Sequence, residues 1–299
     1  MKNGTHHHGV VVPMVTPVTG AGDLDEAAVD RLVEFLIAGG VEGIFVLGTT
    51  GEGISVPAEL RRRLVQRTVN KVAHRVKVYA GIPDAPADSA TANEHFHAGA
   101  DAIVARPPES YPVPNLLAWY QGLLAKLEGP LIMYNIPSTT NVSIPLSVVA
   151  DLAGHPMVAG IKDSENDSKR MGELLGRFGD VPGFSIFVGV GALMADGLKL
   201  GADGIVPSVG NLIPGVCREL CASAKRGDWI QVNAHAQRMR DVSALYQQGR
   251  TLGQSLVALK AALHCRGLCT PHVLPPLVPL KAAEVELLRN EMSRLRLLD

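Results

Sequence analysis

A lysine and a tyrosine, each closing a short apolar run, are the residues of this chain best suited to covalent chemistry. "LIMYNIPS" (131–138) carries Tyr134 and "MVAGIKDS" (157–164) carries Lys162. A lysine held in a dry pocket loses stability as a cation, which frees its lone pair to attack a ketone. A phenol beside that amine can shuttle the protons that imine formation and collapse require. Each residue also has a plain structural reading: Lys162 as a strand-end lysine whose stem snorkels to water and pairs with Asp163, and Tyr134 as a ring capping the core. Chemistry is favoured if the two lie on adjacent strands at matching height. A third segment, "GTTGEG" (48–53), sets Thr49 and Thr50 between glycines, so hydroxyls and backbone N–H groups can converge on a small anion. It lacks the Gly-Lys-Ser/Thr ending of a Walker loop. Its other reading is a turn in which a threonine caps the next helix.

The elements that must position these residues are legible as an alternation. Eight short apolar runs recur: "GVVVPMVT", "GIFVLG", "VKVYAG", "AIVARP", "LIMYNIP", "VAGIKD", "SIFVG" and "GIVPS". Amphipathic helical stretches such as "LDEAAVDRLVEFLIAGG" and "PAELRRRLVQRTVNKVA" separate them. Continuously apolar strands suit a parallel sheet covered by helices, and eight βα units closing on themselves give an α/β fold of the (β/α)8 TIM-barrel type. Glycines in "AGG" (38–40), "HAGA" (97–100) and "KLGA" (199–202) mark helix ends before the next strand. After residue 226 strands stop and three helical patterns follow, so residues 1–226 read as the barrel and 227–299 as a C-terminal helical extension packed on it. In such a barrel the active site lies where strands end, which is where Tyr134 and Lys162 fall.

Composition excludes several classes. The 299 residues are 46% hydrophobic with a formal net charge of −1, so a sizeable core is available and no electrostatic footprint for nucleic acid exists. The one basic triplet, 61–63, sits in a helical pattern and reads as a solvated face. No run of 18 apolar residues and no signal-peptide segment appears, which leads to the expectation of a soluble, cytoplasmic protein. Cys217 and Cys221, and Cys265 and Cys269, are spaced i, i+4; each pair is expected on one helix face rather than in a metal knuckle. "GVGALMADG" (189–197) departs from a dinucleotide fingerprint, since Met194 occupies the third glycine position and no acidic residue follows about 20 positions on. No metal and no organic cofactor is expected. His6, His7 and His8 are set aside from the fold argument.

"GTTGE" (48–52), "YNIP" (134–137), "GIKDS" (160–164) and "GADGIVPSVGN" (201–211) together resemble the motif set of the dihydrodipicolinate synthase and N-acetylneuraminate lyase family. The resemblance runs in order through nearly the whole chain. It implies a (β/α)8 barrel with C-terminal helices, assembled as a tetramer of paired dimers or as a dimer, in which the motif lysine forms a Schiff base with pyruvate or another 2-oxo acid. On that resemblance Lys162 is the imine lysine, Tyr134 the proton shuttle, and Thr49 and Thr50 the carboxylate holders. Gly48, Gly189 and Val206 then line the pocket.

Two departures bear on the reaction. Family members often carry a second relay tyrosine after strand four; here "RPPESYP" (106–112) puts Glu109 at that place and Tyr111 two residues on, so either serves or the relay is cut. Members that make dihydrodipicolinate carry an arginine five residues after the motif tyrosine, where this chain has Thr139. A threonine does not replace a bidentate guanidinium fork, and Arg106 on the loop after strand four is the candidate cation to compensate. "KDS" is more similar to the aldolases of sugar-derived 2-oxo acids, and Thr139, Ser164 and Asn166 suit substrate hydroxyls. The leading expectation is a lyase making or breaking a C–C bond beside a 2-oxo acid, with a small 2-oxo acid and an aldehyde as its partners and a 3-deoxy-2-oxo sugar acid as substrate. The alternatives are a dehydratase of such an acid, a dihydrodipicolinate synthase, and a non-catalytic 2-oxo acid sensor.

Overall fold

Eight buried parallel strands carry the structure. The computed structural model describes residues 7–82, 89–108 and 115–298; Glu109 and Tyr111 lie outside the described residues. The strands are β1 (Gly9–Pro13), β2 (Gly43–Val46), β3 (Lys77–Ile82), β4 (Ala102–Ala105), β5 (Leu131–Asn135), β6 (Val158–Asp163), β7 (Ser185–Val188) and β8 (Gly204–Ile205). They pair in chain order and close into a barrel through β8 and β1. Every strand residue except Lys77 is buried, because one face of each strand fills the barrel and the other meets the helices. Val11, Phe45, Tyr79, Val104, Ile132 and Phe187 belong to the interior cluster, which also contains Tyr134 and Val206. A second cluster joins the outward strand faces to the helices.

Local chemistry sets where helices start and stop. Asp25, Asn115 and Asp167 accept hydrogen bonds from first-turn amides of the helices Glu26–Ala38, Leu116–Leu124 and Ser168–Phe178. Gly40, Gly99 and Gly201 adopt φ of 77°, 99° and 94°, the left-handed conformation expected where the helices Glu26–Ala38, Ser89–His97 and Met194–Lys199 hand over to strands. The helices Trp229–Gln247, Leu252–Cys265 and Ala282–Arg294 form the C-terminal region, and Met239, Leu259 and Leu288 join the cluster that wraps the barrel. Among the described residues, no helix is long and apolar enough to cross a membrane, and no group of three or more His, Cys, Asp or Glu residues is arranged to hold a metal ion.

Three local expectations are corrected. The helix after "GTTGEG" begins at Ala58 with Pro57 before it and no side-chain cap, so neither threonine caps it. Cys217 and Cys221 share the helix Pro214–Lys225, but Cys265 ends its helix and Cys269 lies beyond Gly267, whose φ of 68° turns the chain away. All four cysteines are free. His7, set aside with its neighbours, is buried, and its Nδ1 lies 2.8 Å from the Tyr79 hydroxyl inside the barrel, so this histidine is part of the fold.

Candidate active site

Register brings the two expected reactive residues together. Tyr134 pairs with Lys162 across β5 and β6, and Lys162 pairs in turn with Phe187 on β7. An irregularity makes this so: Leu131 pairs with Val158 but Ile132 with Gly160, so β6 holds one extra residue and its alternation is rephased. Gly160 permits it, since a Cβ there would lie 2.1 Å from the Ser185 carbonyl oxygen. Lys162 therefore points into the barrel, 6% exposed, while Asp163 points outward. The snorkelling reading fails on both counts. Asp163 is bound to Arg170 at 2.9 Å and accepts from Asn135 Nδ2 at 3.0 Å. Burial outweighs those partners and holds the Asp163 carboxyl above its usual range.

The Lys162 amine sits over aromatic faces. Its Nζ is 3.9 Å from the Tyr134 ring centroid and 5.0 Å from that of Phe45, whose ring meets Tyr134 edge-on. Phe45 was not anticipated; its only signal in the sequence is a large aromatic three residues before the end of "GIFVLG". Lys162 and Val206 border a cavity of about 10 Å³ beneath the amine. The Tyr134 phenol is buried, which alone would push its pKa up. The charge of Lys162 and hydrogen bonds with Lys162, Thr49 and Ser164 more than offset this, and the phenol ends below its ordinary value. Thr49 Oγ1 lies 3.4 Å from the phenol oxygen, a long contact of the kind that tightens when substrate binds.

The segment 47–53 holds Thr49 at the mouth by strain and by an anchor. Leu47 and Glu52 adopt φ of 61° and 55°, sparsely populated for residues with a Cβ and sustained only where surroundings over-determine the backbone. Glu52 makes a fully buried ion pair with Lys260 at 2.6 Å and accepts from the Leu274 amide at 2.8 Å, while Lys260 donates to the His272 carbonyl. No spacing signal links residues 52 and 260, and sequence reading missed this pair. The amides of Gly51, Glu52 and Gly53 donate to Gly48 and Thr49 carbonyls. These three amides are therefore used within the turn itself. Gly48 and Thr49 border a cleft of about 20 Å³ with Tyr134 and Arg106; Thr50, half-buried, is not in that lining.

Two larger chambers flank the mouth. One, of about 440 Å³, begins at Gly189 and runs between Ser208 and the helix Trp229–Gln247, with Ser243 and Gln247 in its wall. Gly189 is tight, since a Cβ would lie 2.0 Å from Ser164 Oγ, the hydroxyl that serves the Tyr134 phenol. Ser164 is thus engaged by the phenol, and Asn166 is exposed. The other chamber, about 240 Å³, is bordered by Thr49, Arg106 and Thr139 and by apolar side chains of the C-terminal region. Arg106 Nη1 donates to Thr139 Oγ1 at 3.4 Å.

An eight-stranded βα barrel with a buried lysine against a phenol at the strand ends has the architecture of a Schiff-base lyase. Residues 6–295 match the model of the dihydrodipicolinate synthetase family, and the chain belongs to that family. It is 33% identical over 279 residues to the 4-hydroxy-tetrahydrodipicolinate synthase of Salinibacter ruber, covering 91% of this chain and 90% of that one. A DapA-like lyase of Halobacterium salinarum, itself uncharacterized, is 31% identical over 97% of this chain and 95% of its own length. Among solved structures, dihydrodipicolinate synthase from Bacteroides thetaiotaomicron superposes with a TM-score of 0.91 at 32% identity, covering 96% of this chain and 98% of that one. YagE, an E. coli K12 prophage protein of the same family solved with pyruvate, superposes with a TM-score of 0.89 at 27% identity over 97% and 99% of the two chains. The chain is accordingly an enzyme, a Schiff-base-dependent lyase of this family.

Proposed function

We propose that Lys162 attacks C2 of pyruvate, or of a longer 2-oxo acid, and that the enzyme makes or breaks the adjoining C–C bond, with a 3-deoxy-2-oxo sugar acid as substrate. The in-register contact of the Lys162 amine with Tyr134 carries this reading. The amine adds to the C2 carbonyl, Tyr134 delivers the proton with which the oxygen leaves as water, and the protonated imine draws electrons from C3. In cleavage the C4 hydroxyl gives its proton to the Tyr134 oxygen, the C3–C4 bond breaks with its electron pair passing into the enamine, and an aldehyde departs. The enamine is then protonated at C3 and water releases pyruvate from Lys162. A phenol held below its ordinary pKa suits the acceptor role.

Thr49 and Thr50 take the 2-oxo acid carboxylate, Gly48, Gly189 and Val206 shape the pocket, and Thr139 meets the second substrate. A hydroxylated chain is favoured by the chamber beyond Gly189, where Ser208, Ser243 and Gln247 offer donors and acceptors. Glu109 or Tyr111 completes the proton relay. In this reading residues 1–226 are the catalytic barrel and 227–299 the region that walls its mouth. The protein works as a homo-oligomer, in keeping with a related synthase described as the first monomeric variant. The four free cysteines suit the reducing cytoplasm.

Borohydride reduction in the presence of pyruvate tests the proposal. A stable mass increment on a peptide containing Lys162 is expected; an increment on another lysine, or none, overturns it. Pyruvate release from a panel of 3-deoxy-2-oxo sugar acids tests the substrate class, and dehydration without pyruvate release would replace lyase by dehydratase.

A further inference from the structure

The residues that follow the reacting pair are themselves joined. Tyr134 and Lys162 stand opposite each other inside the barrel, so Asn135 and Asp163, the next pair in the same register, face outward together. Asn135 is fully buried. Its Nδ2 donates to Asp163 Oδ2 and to Glu165 Oε2, each at 3.0 Å, and its Oδ1 accepts from the Ile144 amide at 2.9 Å. Arg170 Nε lies 2.9 Å from the same Asp163 oxygen and 3.2 Å from the same Glu165 oxygen. One guanidinium and one amide thus close a cluster on two carboxylates, and buried polar groups bonded in this way are costly to break singly.

The cluster ends on Ser164. Asp163 Oδ1 accepts from the Glu165 amide at 2.9 Å, and the Ser164 amide donates to the Asn135 carbonyl at 2.8 Å, so the backbone is pinned at and just after Ser164. The Gly189 amide donates to the Asp163 carbonyl at 2.7 Å, which brings β7 close against Ser164 Oγ. With its backbone fixed and one side closed, this hydroxyl is held on the Tyr134 phenol.

We propose that Asn135 and Asp163 are positioning residues: from the outer face of the sheet they hold the Ser164 hydroxyl against the Tyr134 phenol, and so keep the proton shuttle in place over Lys162. This rests on the reading of Tyr134 as that shuttle.

The test breaks the cluster at one atom. Asp163→Asn keeps the size of the side chain, and in either orientation its amide meets a donor, from Asn135 and Arg170 or from Glu165. The Tyr134 titration is followed by ultraviolet difference spectra against Tyr134→Phe. A displaced Ser164 no longer stabilises the phenolate, so the titration should move to higher pH, whereas loss of the Asp163 charge acting directly through space would move it to lower pH. Lys162 and Arg106, charged residues that border the phenol, are left in place. Catalysis is read with pyruvate alone, as exchange of its methyl protons for deuterium. The kcat of exchange should fall roughly 10- to 100-fold with KM little changed, the pattern of a misplaced acid–base group. Asp163→Glu should recover most of the loss.

Ser164→Ala should give the same upward shift, and combining it with Asp163→Asn should add little, because both act through one hydroxyl. Asn135→Ala breaks the cluster from β5 and should repeat the result. Circular dichroism confirms that each variant is folded. A titration that stays or falls in Asp163→Asn, no shift in Ser164→Ala, or additive effects of the two overturns the inference. If neither Asp163→Asn nor Asn135→Ala folds, the cluster is structural and the inference falls as well. Tyr134→Phe reads the shuttle separately: unchanged exchange in that variant, with a phenol titration that still follows Asp163, removes the shuttle and leaves the positioning.

Discussion

Lys162 and Lys260 are both buried lysines in one chain, yet their surroundings differ in kind. Lys260 is fully buried, 2.6 Å from the Glu52 carboxylate and 2.8 Å from the His272 carbonyl. Its ammonium protons have acceptors, and its charge is matched. Lys162 meets the faces of Tyr134 and Phe45 and a phenol oxygen, while the carboxylate next to it in sequence, Asp163, is turned to Arg170 on the other side of the sheet. Aromatic faces hold a cation weakly compared with a carboxylate. The nucleophilic role proposed for Lys162 therefore rests on its partners and not on burial alone.

The largest effect should separate the two lysines outright. Lys162→Ala is expected to abolish the borohydride-trapped pyruvate adduct and reduce turnover to background, and peptide mapping of the wild-type protein should find no adduct on Lys260. A Lys260 adduct would break the comparison. Next in size, Tyr134→Phe keeps the ring under the amine and removes the proton shuttle; turnover should fall roughly 10²- to 10⁴-fold. Unchanged turnover in a folded variant would reduce Tyr134 to packing.

Lys260 should instead report in stability. Lys260→Met leaves Glu52 buried without its counter-charge and is expected to cost about 3–5 kcal/mol in urea unfolding. The double change Lys260→Met with Glu52→Leu should recover much of that loss, because both charges then leave together. A Lys260→Met protein as stable as the wild type would show that the pair does not anchor the segment carrying Thr49.

The smallest effect sharpens the role of the Lys162 charge. Burial raises the Tyr134 pKa, and Lys162 is the largest of the partners, with Thr49 and Ser164, that together bring it below its ordinary value. Lys162→Met removes the lowering charge and should move the phenol's titration, followed by ultraviolet difference spectra against Tyr134→Phe, to higher pH. Linkage gives a matching sign: a folded pKa below the unfolded one adds stability that is present above the unfolded pKa and lost as pH falls through the folded one. Tyr134→Phe should thus lose more stability in alkaline solution than at neutral pH. Equal losses at both would remove Lys162 as the cause of the shift.

Much of this was readable along the chain because the signals are local. Eight apolar runs became eight strands since each is short and continuous, and Gly40, Gly99 and Gly201 end the helices before three of them. Lys162 and Tyr134 stood out because each closes such a run. The errors were also local in origin. Cys265 and Cys269 have helical spacing, but the helix ends at Cys265. Thr49 and Thr50 have the chemistry of a helix cap, yet the chain continues to Pro57 before turning helical. The histidine run looked separable from the fold, and His7 is buried on Tyr79.

What the sequence determined by itself was the order of elements, the barrel they form and the residue types at the strand ends, because apolar period and turn chemistry act between near neighbours. Only the tertiary structure decided how those residues face one another. The extra residue in β6 rephases the strand and turns Lys162 toward Tyr134, a consequence of pairing with β5 that neither strand encodes alone. The Glu52–Lys260 pair and the contact of Arg106 with Thr139 join residues far apart in the chain. A charge buried beside its partner is defined by distance in space, and the order of amino acids fixes that distance only through the closed barrel.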